Sequence, residues 1–173
     1  MTVPAAMPQS SEFLSWKDVD QLIDYLLPQL RGPYDALLMI TRGGIVPGGL
    51  IAEALGIRYV LTAAVEFPSR LGQNRLAWPT FLQFPEDRLL SGRRILVVDD
   101  IWAHGRTVTT VKGRVKAAGG APEAAVLHYK PGASLFREAG PEYYAAITDR
   151  FIVYPWEVQR GPDAFSAREL QPN

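Results

Sequence analysis

A chain of 173 residues, 47% of them hydrophobic and 21% charged, is long enough for one domain with a real core and too short for two full ones. Eighteen Lys and Arg against 18 Asp and Glu leave a net charge near zero, without the basic excess that nucleic-acid binding draws on. The absence of cysteine excludes disulfides, thiolate metal sites and a cysteine nucleophile, and two histidines, His104 and His128, are too few for a histidine-built zinc site.

The opening residues, Met1 to Pro8, carry neither a basic segment nor a long apolar one, so they do not read as a signal peptide. No apolar run elsewhere approaches the ~20 residues of a membrane span. A cytoplasmic protein is expected, with a single domain over 13–161 and looser ends at 1–12 and 162–173. Ser15, with Asp18 three residues on, marks a helix start, and Val19, Leu22, Ile23, Leu26 and Leu27 follow at helical spacing until Pro28 and Gly32-Pro33. Ala36 to Ile40 is a continuous apolar run, as a strand buried on both faces requires. Thr41-Arg42-Gly43-Gly44 is a turn, and Val46 to Leu55 reads as a helix closed by Gly56. Arg58 to Val65 is a further strand. The stretch from Glu66 to Gly92 is long for a connection, with a brief strand expected around Phe81 to Phe84. Strands are then predicted over Arg94–Val98, Ala124–Tyr129 and Phe151–Tyr154, with a helix over Arg106–Ala118. Strands alternating with helices predict an α/β fold with a parallel sheet, and such sheets bind ligands at the carboxyl ends of their strands.

The chemistry concentrates where Ile95 to Val98 run into Asp99-Asp100. Side chains alternate along a strand, so one carboxylate faces a ligand and the other the support. Ala103-His104-Gly105-Arg106-Thr107 then opens a helix, offering first-turn N–H groups, the positive end of the helix dipole and the Thr107 hydroxyl to a phosphate. Together they suit a ligand with a phosphate at one end and a diol or Mg²⁺ near the acids. The Thr41 to Gly44 turn is a second anion cradle: its glycines let backbone amides approach closely, and Arg42 adds a charge-assisted donor.

The string from Ile95 to Thr107 resembles the signature by which type I phosphoribosyltransferases bind 5-phosphoribosyl diphosphate (PRPP). The resemblance spans roughly Leu37 to Glu157 and implies a Rossmann-like parallel sheet flanked by helices, with a small hood made from terminal segments. By this resemblance Asp99 and Asp100 hold the ribose hydroxyls, directly or through Mg²⁺. Ala103, His104, Gly105, Arg106 and Thr107 bind the 5′-phosphate, and Thr41, Arg42 and Gly43 bind the pyrophosphate. Lys130, after its strand, matches the lysine that contacts a 6-oxo group in the purine members. Phe151 stands where an aromatic stacks on the base, and Ile152 packs beside it or offers backbone groups. The 66–92 segment corresponds to a closing loop, with Arg70 and Arg75 as candidate pyrophosphate contacts.

One departure is specific. Many purine members carry an acid and then a threonine where this chain has Ala103-His104. The acid is often assigned the general acid/base role, which Ala103 cannot fill. His104 is the candidate substitute, since imidazole titrates near neutrality; the alternative is a loop residue whose backbone alone matters. The implied activity is Mg²⁺-dependent transfer of phosphoribose from PRPP to a purine, a 6-oxopurine such as guanine, xanthine or hypoxanthine, in purine salvage. A PRPP- or nucleotide-sensing protein on the same fold, with weak or no catalysis, is the second reading. Partners expected are PRPP, a purine base and further copies of the chain as a homodimer or larger assembly, with neither nucleic acid nor membrane.

Overall fold

The computed structural model describes residues 10–67 and 78–158. Its first element, β1 (Ser11–Phe13), begins inside the segment expected to be loose through residue 12. Helix α1 (Trp16–Leu26) follows, with the capping box that Ser15 and Asp18 announce: Asp18 N–H donates to Ser15 Oγ at 3.3 Å and Ser15 N–H to Asp18 Oδ2 at 2.7 Å. The buried residues of α1 are Val19, Ile23 and Leu26, one turn apart on one face.

The chain then alternates: β2 (Ala36–Ile40), α2 (Ile45–Leu55), β3 (Val60–Glu66), β4 (Thr80–Gln83), β5 (Arg94–Trp102), α3 (Arg106–Ala117), β6 (Ala121–Tyr129) and β7 (Tyr143–Ile147). It closes with β8 (Phe151–Val153) and the single turn α4 (Pro155–Val158). Six strands form one sheet in the order β4-β3-β2-β5-β6-β7, parallel throughout except for the antiparallel β3–β4 edge. The α/β fold with a mainly parallel sheet is therefore the one expected.

Alternation along the central strands feeds two cores. Leu37, Leu96, Val98 and Leu127 pack with Val19, Ile23 and Leu26 of α1 and Ile51 of α2 on one face. Leu38, Ile95, Val97 and Val126 pack with Val108, Val111 and Val115 of α3 on the other. Each fully buried Leu, Ile or Val contributes roughly 1.5–3 kcal/mol, which is why these runs are apolar at every position.

Three differences from the predicted elements matter. Strand β5 does not end at Val98 but carries Asp99 and Asp100 within it to Trp102, because its ladder with β6 continues to Trp102 opposite Tyr129. Strand β7 was not predicted: its tyrosines and alanines lack a clear apolar run, and it is held at the edge by β6. Strand β8 stands outside the main sheet, paired in parallel with β1, Ser11 opposite Phe151 and Phe13 opposite Val153. This two-stranded unit is the hood expected from terminal segments.

At the amino ends of β5, β6 and β7 a polar clamp braces the sheet. Tyr34 and Tyr143 hydroxyls donate to Glu123 Oε2 at 2.7 and 2.8 Å, and Arg94 donates to Glu123 Oε1 at 3.0 Å and to the Arg31 carbonyl at 2.9 Å. The opposite, carboxyl edge is left for the site.

Candidate active site

Asp99 and Asp100 sit in the carboxyl half of β5, and Asp100 N–H donates to Asp99 Oδ1 at 3.0 Å. Withdrawal from solvent, and then the neighbouring Asp100 charge, push the Asp99 carboxyl well above the usual carboxylate range. A pair that resists carrying two charges is a pair that gains from a ligand's hydroxyl donors or from a cation.

The β2–α2 turn closes directly onto Asp100. A Cβ built at Gly43 would lie 2.5 Å from Asp100 Oδ1 and 2.6 Å from its Oδ2, and one at Gly44 would overlap the Val98 carbonyl and lie 2.8 Å from that of Ile40. Only glycine allows the turn this close to the carboxylate strand. Gly44 N–H donates to Ile40 O at 2.8 Å, the Thr41–Arg42 peptide is cis, and Arg42 is exposed at the rim.

The second cradle is pinned from behind. Gly105 caps α3 with φ 78°, and a Cβ there would meet the Trp102 indole, 2.6 Å from Cζ2. Trp102 is buried, donates from Nε1 to Ser134 Oγ at 3.2 Å, and meets the Tyr129 and Phe136 rings edge-on. The His104 carbonyl accepts from Leu135 N–H at 3.1 Å, and the Trp102 carbonyl from Lys130 N–H at 2.9 Å, so the loop after β6 holds the turn. Thr109 N–H is bonded to Gly105 O at 3.0 Å, which opens the ladder of α3 at the turn. Arg106 lies over the Phe67 ring, 4.2 Å from its centroid.

Lys130 stands half-buried at the end of β6. Burial lowers the pKa of its ammonium, and the Asp149 carboxylate opposes the shift. Phe151 is half-buried on β8. Ile152 is 6% exposed and packs in the core with residues of α1. Its side chain is therefore taken by packing, and only its backbone is left for a ligand. Arg70 and Arg75 lie outside the described residues.

Two residues that sequence reasoning left without a role belong to this site. The Tyr154 hydroxyl donates to the Asp100 carbonyl at 2.9 Å, and His128 Nδ1 lies 2.9 Å from the same hydroxyl. Tyr154 stacks on Trp156 at 4.6 Å and 5°, and Trp156 in turn meets Trp16. Glu157 accepts from Tyr154 N–H at 3.1 Å. Burial, and after it the Lys130 charge, lower the His128 pKa from 6.5 to about 4. A histidine depressed in this way contributes stability that is present above pH 6.5 and lost as pH falls through 4, up to roughly 3 kcal/mol. Chemical denaturation from pH 7 to 4 is therefore expected to show a steeper loss for the wild type than for His128→Gln. Parallel curves would show that His128 does not titrate in this way.

A parallel sheet whose ligand edge pairs carboxylates with two amide-lined turns is the architecture of proteins that handle phosphorylated sugars. The chain belongs to the phosphoribosyl transferase domain family, whose model matches residues 10–160. Over 130 residues it is 30% identical to a xanthine-guanine phosphoribosyltransferase of Cereibacter sphaeroides, covering 74% of this chain and 72% of the relative. The crystal structure of a purine phosphoribosyltransferase from Pyrococcus horikoshii Ot3 superposes with a TM-score of 0.73 at 29% identity, over 85% of this chain and 94% of that one. A hypothetical protein from Neisseria gonorrhoeae with bound ppGpp shares the fold, with a TM-score of 0.74 at 22% identity over 94% and 96% of the two chains.

Proposed function

We propose that this protein transfers phosphoribose from PRPP to a 6-oxopurine, forming the nucleoside monophosphate and pyrophosphate, in purine salvage. The observation that carries the reading is the Gly43 turn closed against the Asp100 carboxylate, beside the Gly105 turn that opens α3. In the reaction the C1–O bond to pyrophosphate breaks with its electron pair leaving on oxygen, and a base nitrogen forms the new bond to C1. Positive charge grows on the ribose as this happens, so the chain's task is positioning and charge stabilisation. Asp99 and Asp100 accept from the ribose hydroxyls, the amides of Ala103 to Thr107 and the Thr107 hydroxyl hold the 5′-phosphate, and Thr41, Arg42 and Gly43 hold the pyrophosphate. Lys130 donates to the 6-oxo oxygen, which favours 6-oxopurines over adenine, and Phe151 stacks on the base.

Mg²⁺ fits the acid pair as a shared ion. Among the described residues no group of three or more His, Asp or Glu could hold a metal alone, so Asp99 and Asp100 would hold it with PRPP oxygens and water, where it would neutralise the diphosphate charge. A homodimer or larger assembly and a cytoplasmic location belong to the same proposal and rest on the family resemblance. Ala103 favours a second reading, a nucleotide-binding regulator, and the ppGpp bound to the Neisseria gonorrhoeae protein shows such a ligand on this fold.

Pyrophosphate release from PRPP and Mg²⁺ separates the two. Guanine, xanthine or hypoxanthine is expected to drive release at least about tenfold faster than adenine, one hydrogen bond's worth of discrimination. PRPP binding without turnover on any base would establish the regulator. An Ala103→Asp variant in the same assay is expected to raise kcat by about 10²-fold, the lower range of a general acid/base contribution. No gain would assign that step to another group, with His104 first.

A further inference from the structure

We infer that Tyr154 is a positioning residue for PRPP: its hydroxyl, oriented by His128, holds the main chain at Asp100 and ties the carboxylate strand to the hood. The inference rests on the proposed PRPP site and adds a residue to it.

The hydrogen-bond directions follow from elimination. The Asp100 carbonyl can only accept, so the single proton of the Tyr154 hydroxyl is spent on it at 2.9 Å. The hydroxyl oxygen must then accept from His128, which lies 2.9 Å away, and this requires a proton on Nδ1. Both side chains are buried, His128 at 5% and Tyr154 at 2% exposure, so water does not compete for these bonds. His128 belongs to β6 and Asp100 to β5, whereas Tyr154 follows β8 of the hood. The chain of bonds therefore links three elements, one of which is not in the main sheet.

The bond falls beyond the end of the β2–β5 register at Val98, on a stretch of β5 whose remaining strand neighbour is β6. At Asp100 the carboxylate must also clear Gly43 closely, so a small rotation of the Asp100 backbone would shift the carboxylate against the turn. The ring itself is held separately, stacked on Trp156, so removal of the hydroxyl leaves its packing in place.

The test uses the full chain with three readouts. Tyr154→Phe is expected to raise the KM for PRPP about tenfold while the KM for the base and kcat at saturating PRPP stay within about twofold, the pattern of misplacement at one half of the site. Trp156→Leu, which thins the stack and spares the hydroxyl, is expected to lower the melting temperature without changing the KM for PRPP. Nitrogen NMR is expected to show His128 as the Nδ1–H tautomer, readily assigned because the chain has only two histidines. An unchanged KM for PRPP in Tyr154→Phe, a fall in both variants in proportion to stability, failure of Tyr154→Phe to fold, or an Nε2–H tautomer would each overturn the inference. A wild-type protein that binds no PRPP would instead overturn the proposed function, so the two failures are distinguishable.

Discussion

Replacing both acids, Asp99→Asn with Asp100→Asn, is expected to abolish PRPP binding and to raise the melting temperature. Two carboxylates that accept charge-assisted hydrogen bonds at roughly 1.5–3 kcal/mol each account for a loss of about 10²- to 10⁴-fold. The stability gain comes from the same atoms. Asp99 is desolvated and faces the Asp100 charge, so its folded pKa lies above the unfolded value. Such a group favours the fold fully only below the unfolded pKa, and the advantage is lost as pH rises through the folded pKa. At pH 7 the wild type carries this cost and the asparagine variant does not. Each ~1 kcal/mol gained corresponds to roughly 2–4 °C for a chain of this size. Calorimetric titration with PRPP and Mg²⁺, beside thermal melts from pH 5 to 8, reads both effects. Unchanged PRPP affinity would sink the site assignment, and a lower melting temperature would show that the acids support the fold.

The neighbouring glycines separate function from folding one residue apart. Gly43→Ala places a methyl 2.5–2.6 Å from the Asp100 carboxylate, the free end of a side chain that can swing away. The fold is expected to survive and PRPP affinity to fall about 10²-fold, because the acid is displaced from its ligand. Gly44→Ala places the methyl against main-chain atoms of Val98 and Ile40, which belong to the paired strands β5 and β2 and cannot yield. That variant is expected to lose several kcal/mol of stability, the range of strained core substitutions. Denaturation curves and PRPP titrations on both variants would show the division, and equal effects in the two would contradict it.

Much of this was legible in the chain because its signals are local. Parallel strands buried on both faces announce themselves as unbroken apolar runs, as in Ala36–Ile40 and Ile95–Val98, and the acid pair and both glycine turns are contiguous in sequence. The hood was less legible in detail: strands of three residues have no measurable periodicity, and β1 finds its partner only in three dimensions. The burial of the Ile152 side chain was not legible either, because resemblance places a residue in a motif without fixing which way its side chain turns. The Tyr154–His128 bond was invisible for a related reason, since it joins residues from separate strands whose spacing follows no pattern. Nothing in the sequence gives Trp102 a role of its own, and only the position of Gly105 against its indole shows that it shapes the turn that opens α3.

The hood ladder joins Ser11 to Phe151 across 140 positions of chain through three residue pairs. Closing so long a loop is an entropic expense that the short ladder offsets only with help from buried residues such as Ile152 and Val153. Such a unit opens at lower free energy than the six-stranded sheet, and its opening would release the Tyr154 bond to the Asp100 carbonyl. On the proposed function, the stacking residue Phe151 then rests on the most labile part of the chain, whereas Lys130 follows a strand of the main sheet. Drift at the two ends of the domain could alter how the acceptor is stacked, provided that Tyr154 is kept for the donor.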